Sequence, residues 1–288
     1  MAEDSSILTV AVLPAALAVI MVTLGLSLRL ADFRRVVVFP RGIAIGLTNL
    51  TLISPFLAFA VASAFDLSPE LAVGLVLLGA SPGGTMANML THLARGDTAL
   101  AVTMTATSSV AAMVTVPLFL GLAIDHFDAT GLGEDVEMLG VVGRVFGITI
   151  IPLALGMWIR ARWPERVEEI YPRMRRVALF AFVAVVIGAV IAEREKIDEN
   201  VADVAGAALA LNVAAMAVSF TVSKLARLND AQATAIAIEL GVHNAALAIA
   251  VGASVATVLT IPAAVYSAFM FVTAGLFARV MFRRNALA

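Results

Sequence analysis

Apolar runs of about 20 residues, parted only by short clusters of charge, Gly and Pro, fill this chain almost from end to end. A run of that length, wound as a helix, crosses a bilayer core of roughly 30 Å. The runs predict nine such helices: 7 to 29, 42 to 64, 69 to 93, 98 to 123, 138 to 159, 176 to 192, 202 to 224, 229 to 251 and 256 to 281. The sixth is the shortest, because Arg173, Arg175 and Arg176 close in on its start. The expected fold class is an all-α polytopic membrane protein with nine transmembrane helices.

Two of these runs are interrupted. Ser81-Pro-Gly-Gly-Thr-Met-Ala-Asn88 falls inside the third, and Glu239-Leu-Gly-Val-His-Asn244 inside the eighth. Pro82 lacks an N–H and clashes with the preceding turn, while Gly83 and Gly84 supply no side chains to hold a helix, so the backbone is expected to unwind there. Unwinding frees N–H and C=O groups, which hydrocarbon cannot satisfy, so such a break survives where it lines a cavity or binds something. Interruptions at corresponding places in the two halves predict an inverted repeat, with a transport site between the broken helices.

Charge sets the orientation. Of the 19 Lys and Arg residues, one alternating set of loops holds Arg29, Arg34, Arg35, Arg41, Arg95, Arg160, Arg162, Arg166, Arg173, Arg175, Arg176, Lys224, Arg227, Arg279, Arg283 and Arg284. The opposite set holds only Arg194 and Lys196, and Arg144 falls within a span. The positive-inside rule then puts the N-terminus outside and the C-terminus in the cytoplasm of a cell membrane, expected to be a bacterial inner membrane. The opposite loops are acidic, a pattern read as solvation. The acidic start, Met1-Ala-Glu-Asp4, has no basic n-region, so the first apolar run is expected to be retained rather than cleaved.

Composition narrows the chemistry. With 61% hydrophobic and 14% charged residues and a mean hydropathy of +0.99, the bilayer is the expected solvent. There is no Cys, which excludes disulfides, thiolate metal sites and cysteine nucleophiles. No Gly-x-Ser-x-Gly, His-Glu-x-x-His or Walker pattern occurs, so neither an enzyme, nor a bound cofactor, nor a nucleic-acid partner is expected. The expected partners are lipid and a small organic anion, with the oligomeric state left open.

Among the 21 acidic residues Glu239 alone lies deep within a span, and an intramembrane carboxylate is a functional candidate by default. It needs Na⁺, H⁺ or a side-chain partner such as His243. The half-helix that opens near Thr85 presents free amides and a positive dipole end, suited to a carboxylate. Thr85, Gly84, Asn244 and His243 are therefore the candidate anion contacts. The hydroxyl residues between Thr103 and Ser109, and Asn212, read as helix-packing groups. His92 reads as solvated at a helix end.

The stretches 70–97 and 238–248, which contain both interruptions, resemble the bile acid:sodium symporter family. The resemblance covers nearly the whole chain. It implies two inverted repeats forming a panel and a core domain, with two discontinuous helices crossing at their breaks; the first repeat, 1–128, would lack its opening helix and the second would be 137–288. It also implies a first Na⁺ site at Glu239, Asn88 and Thr105, although Ala87 and Ala101 replace two serines. A second site would fall at Leu50 and His243, where the family has glutamines, with Asn49 and Thr51 adjoining. Na⁺ requires several oxygen donors, so the carbonyls of Leu240 and Val242 are candidate substitutes, and one Na⁺ or H⁺ is expected rather than two Na⁺. The implied function is symport of a bile-acid-like, hydroxy-acid or keto-acid anion into the cell by alternating access. The rivals are a Na⁺-independent ligand-binding carrier or sensor, and an exporter of the related arsenite-carrier fold, which would need a cysteine.

Overall fold

The computed structural model describes residues 13–38, 40–132, 140, 143, 145–192 and 194–285. Apart from one isolated backbone bridge, regular structure among them is helical. In chain order come α1 (Leu13–Ser27), α2 (Leu30–Val38), α3 (Pro40–Ala64), α4 (Pro69–Gly79), α5 (Thr85–Leu93) and α6 (Thr98–His126). Then follow α7 (Ile151–Arg162), α8 (Pro164–Ala192), α9 (Arg194–Leu225), α10 (Asp230–Gly241), α11 (Ala245–Val255) and α12 (Ile261–Asn285).

Five segments are long and apolar enough to cross a bilayer: Pro40–Ala64, Thr98–His126, Pro164–Ile191, Ala202–Leu225 and Thr257–Asn285. The interrupted runs each resolve into two short halves, α4 with α5 and α10 with α11. The breaks are tighter than the sequence motifs that announced them. Asn88 lies inside α5 and Glu239 inside α10, so only residues 80–84 and 242–244 depart from helix. The expected short span at 176 to 192 is corrected: α8 runs unbroken from Pro164, through Pro172 and the arginines read as loop. A helix pays no penalty for charge where it emerges from the bilayer, so the apolar pattern marks the buried length of a helix and not its end. The starts of the first and fifth runs and Arg144 lie outside the described residues.

Proline placement explains much of the local form. Pro69 and Pro164 open their helices, where a missing N–H costs nothing. Pro55 and Pro152 instead sit just beyond five-residue π-helical turns, Asn49–Ile53 and Phe146–Ile150, which loosen the ladder one turn before the ring that disrupts it. Four helices stop in one way. Asp66, Arg95, Asp128 and Arg227 take positive φ, and the next residue bonds back five positions: Leu67 to Ala62, Gly96 to Thr91, Ala129 to Ile124 and Leu228 to Ser223.

Packing sorts the helices. α1 lies along α7 and α8, and its closest approach is glycine to glycine: a methyl group on Gly25 would sit 2.2 Å from the Leu153 carbonyl oxygen, and one on Gly156 2.2 Å from that of Val22. α9 packs on α10 and α12, α3 on α4, and α6 along α4, α5 and α10. Large apolar side chains such as Phe56, Leu118, Phe180 and Leu276 point outward, as lipid requires. One end of the molecule gathers the basic loops: Arg41 donates to the Ala226 carbonyl, Asp230 pairs with Lys224 and Arg284, and Asn285 donates to Ala94 and Arg95.

Candidate functional site

The two breaks meet and satisfy one another. Gly84 N–H donates to the Val242 carbonyl at 2.7 Å, and Asn244 N–H to the Pro82 carbonyl at 2.8 Å, making an antiparallel bridge between Gly83 and His243. Each interruption thus supplies the acceptor the other lacks, which removes much of the cost of unwound backbone in a nonpolar medium. Gly84 lets the strands approach, since a methyl group there would lie 3.0 Å from the Val242 oxygen. Asn244 also caps α11, its Oδ1 accepting from Leu247 N–H.

Glu239 is buried on one side of this crossing, against Gly83. Its Oε1 accepts from the Thr105 hydroxyl at 2.5 Å, and its Oε2 has no hydrogen-bond partner. Thr105 Oγ1 also lies 3.1 Å from the Ala101 carbonyl and 3.4 Å from Asn88 Oδ1. One hydroxyl proton cannot serve three acceptors, so the cluster holds more lone pairs than protons. The structure therefore brings Glu239, Asn88 and Thr105 together from α10, α5 and α6 into an oxygen-rich group suited to a hard cation or a proton. The backup carbonyls are partly engaged, Val242 with Gly84 and Leu240 with the Tyr266 hydroxyl at 3.5 Å.

His243 lines the crossing, but both ring nitrogens already have partners, Ser54 Oγ at 2.8 Å and Tyr266 OH at 3.2 Å. Tyr266 in turn donates to the Gly241 carbonyl at 3.1 Å, which Asn212 Nδ2 also reaches at 2.8 Å. Thr273 donates to Asn212 Oδ1. A chain of side chains from α3, α9 and α12 thus closes around the carbonyl that ends α10. Asn212, read as packing glue, holds the second break itself. At the position the resemblance assigns to a second cation, Leu50 is buried and offers no oxygen, while Asn49 donates its Nδ2 to the Ile45 carbonyl and keeps a buried Oδ1 without a partner.

Against the crossing lies a cavity of about 310 Å³ headed by Gly84, Thr85, Asn88, Val242, His243 and Asn244, so that Asn88 belongs both to the Glu239 cluster and to the cavity. The Ala87 amide turns back to the Gly84 carbonyl at 3.0 Å, and the first residues of α5, Thr85 and Met86, line the cavity at the positive end of the helix dipole. Apolar side chains, among them Ile20, Val102, Phe182 and Phe271, make its walls. It runs past Ser27 and Met89 to His92, Tyr171 and Arg175 at the basic end, where His92 and Arg175 are exposed.

Sequence reasoning missed Ser54, Tyr266 and Arg175. A signal existed for one of them: Tyr266 is one of two tyrosines in the chain, and a phenol in an apolar span must find a partner. Ser54 and Arg175 carried none, since their roles depend on residues distant in sequence that they meet.

Residues 14–200 match the profile of the Sodium Bile acid symporter family. The chain is 29% identical over 256 residues to an uncharacterized sodium-dependent transporter of Bacillus subtilis, YocS, covering 87% of this chain and 77% of that protein. It is 30% identical over 231 residues to a probable chloroplastic sodium/metabolite cotransporter of rice, BASS2, covering 79% of this chain and 53% of the rice protein. A sodium-dependent organic anion transporter of the mouse is 33% identical over 135 residues, 46% of this chain and 35% of that one. The chain therefore spans about three quarters of the bacterial relative and about half of the plant one. A match over that much of its length, together with helices fit for a multi-pass membrane protein, leaves one conclusion: the chain belongs to the sodium bile acid symporter family, a family of transporters rather than enzymes.

Proposed function

We propose that the chain is a secondary symporter that carries a small organic anion into the cell together with a single Na⁺, by alternating access. The observation that carries this reading is the buried Glu239 carboxylate, whose Oε2 has no partner, set against a crossing that heads an anion-suited cavity. A carboxylate removed from water requires a compensating positive charge, and carboxylate, amide and hydroxyl oxygens suit Na⁺. The relatives are named as sodium-dependent transporters or as a sodium/metabolite cotransporter, which favours Na⁺ over H⁺.

One ion rather than two follows from the side chains. Ala87, Ala101 and Leu50 contribute no side-chain oxygen, and Ser54 and Tyr266 take both ring nitrogens of His243, which leaves the unpartnered Asn49 Oδ1 too few companions to hold a second Na⁺. Na⁺ at Glu239, Asn88 and Thr105 neutralises the crossing and fixes α5 against α10. The anion binds the opening amides of α5 with Thr85 and Asn244. Coupling is reciprocal, so the factor by which Na⁺ raises anion affinity equals that by which the anion raises Na⁺ affinity.

In this reading nine spans form two inverted repeats, 1–128 and 137–288. α1, α7 and α8 belong to the panel, against which the crossing helices move, and the basic end is cytoplasmic. Purified protein in liposomes tests it. Accumulation of an organic anion should follow an imposed Na⁺ gradient with a Hill coefficient near 1, and should ignore a pH gradient. Accumulation driven by pH alone would replace Na⁺ with H⁺, and binding without accumulation would make the protein a sensor.

A further inference from the structure

Arg175 alone among the described Lys and Arg residues lines the cavity. Arg29 and Arg160 share Glu168, and Lys224 and Arg284 share Asp230. Arg175 reaches across the mouth of the cavity from α8 to α5, where its Nη2 meets Met89 Sδ at 3.0 Å, and it has no carboxylate partner among the described residues. A thioether is a weak acceptor, so most of the five guanidinium donors remain available to a ligand. His92 lies one turn beyond Met89 on the same helix and lines the same cavity. No Asp or Glu is among the lining residues.

Both ends of the cavity therefore attract negative charge, and the wall between them is apolar. Thr85 and His92 mark the two ends along one helix. Seven residues at 1.5 Å each separate them by roughly 10 Å. We propose that the cavity is a two-point anion site that selects an amphipathic dianion, one acidic group at the crossing and the second held by Arg175 with His92, with an apolar body between. This rests on the symport reading and names the class of anion that site prefers. A ligand with a single acidic group fills the crossing end but leaves the guanidinium unpaired. A guanidinium binds a carboxylate through two parallel hydrogen bonds, which gives the second point its selectivity.

The test is calorimetric binding to the full chain in phosphatidylcholine nanodiscs with saturating Na⁺, using suberate and octanoate, which match in length and differ in the second carboxylate. The zwitterionic bilayer keeps anionic lipid headgroups from supplying the partner. Suberate should bind at least about 10-fold more tightly than octanoate. Arg175→Gln should bring the two affinities together, Arg175→Lys should keep part of the preference, and Thr85→Ala should weaken both ligands. Adding phosphatidylglycerol should leave the suberate preference in place; its loss would assign Arg175 to lipid and overturn the proposal. Equal binding of both ligands to the natural protein would overturn it too, while leaving the symport reading intact. Failure of both ligands to bind in Na⁺ would sink the two together.

Discussion

A methyl group added at Gly83 would lie 1.9 Å from Oε1 and 2.4 Å from Cδ of Glu239, so the carboxylate would have to swing away from Thr105. Gly83 does not take a positive φ, and the backbone accepts alanine without strain. Gly83→Ala should therefore fold with little loss of stability, yet weaken Na⁺ binding by about 10-fold or more, read as the Na⁺-dependent rise in melting temperature. Glu239→Gln should abolish that rise, because an amide keeps the shape and removes the charge. Retention of full Na⁺ stabilisation by either variant would remove Glu239 from the ion's path. Glu239 and Asn88 stood out in the sequence because a deep carboxylate is rare and both fall in the interruption motifs, whereas Thr105 read as a packing hydroxyl and entered only through the family resemblance. The same pattern said nothing about Gly83, whose necessity comes from a side chain 156 positions away in sequence.

Broken helices persist here because other elements supply what they lost. The Gly241 carbonyl receives Asn212 and Tyr266, and the Gly84 and Asn244 amides bond across the crossing to the Val242 and Pro82 carbonyls. Replacing Asn212 with Leu leaves the Gly241 carbonyl with one donor fewer, while the Thr273 hydroxyl falls back on the Phe269 and Met270 carbonyls of its own helix. Asn212→Leu should cost about 1–3 kcal/mol of stability, measured by unfolding in detergent. The α1–α7 contact should be less forgiving. The atom opposing a methyl on Gly156 is backbone, the Val22 carbonyl oxygen, which cannot rotate aside. Gly156→Val should push the two helices apart and lower stability by more than Asn212→Leu does. An equal or smaller loss would mean that the glycine pair is not the hinge of that packing. The all-helical, membrane-suited character and the two interruptions were readable from apolar runs, since those report lipid burial directly. The unbroken reach of α8 and the π-helical turns before Pro55 and Pro152 were not, because charge at a helix end and a ladder loosened by one residue leave the apolar pattern unchanged.

At the scale of the whole molecule, alternating access requires the two sides of the cavity to part and close. Its boundary joins helices from both packing groups: Ser27 on α1 and Arg175 on α8 face Met89 and His92 on α5. The described conformation leaves the basic end open, so a reagent entering from that end should reach residues on the cavity wall. The chain contains no Cys, which allows single cysteines to be placed without background. Ser27→Cys, near the mouth, and Val102→Cys, in the wall, should react with a membrane-impermeant thiol reagent supplied from the basic side. Na⁺ together with a transported anion should slow both, whereas either alone should slow them less, because each ligand biases the equilibrium only through its difference in affinity for the two states. The direction of access also tests orientation. If the basic end is cytoplasmic, labelling should be fast in inside-out vesicles and slow in right-side-out cells. Fast labelling from the cell exterior would reverse the topology, and labelling unaffected by the ligand pair would leave a fixed cleft in place of a moving one.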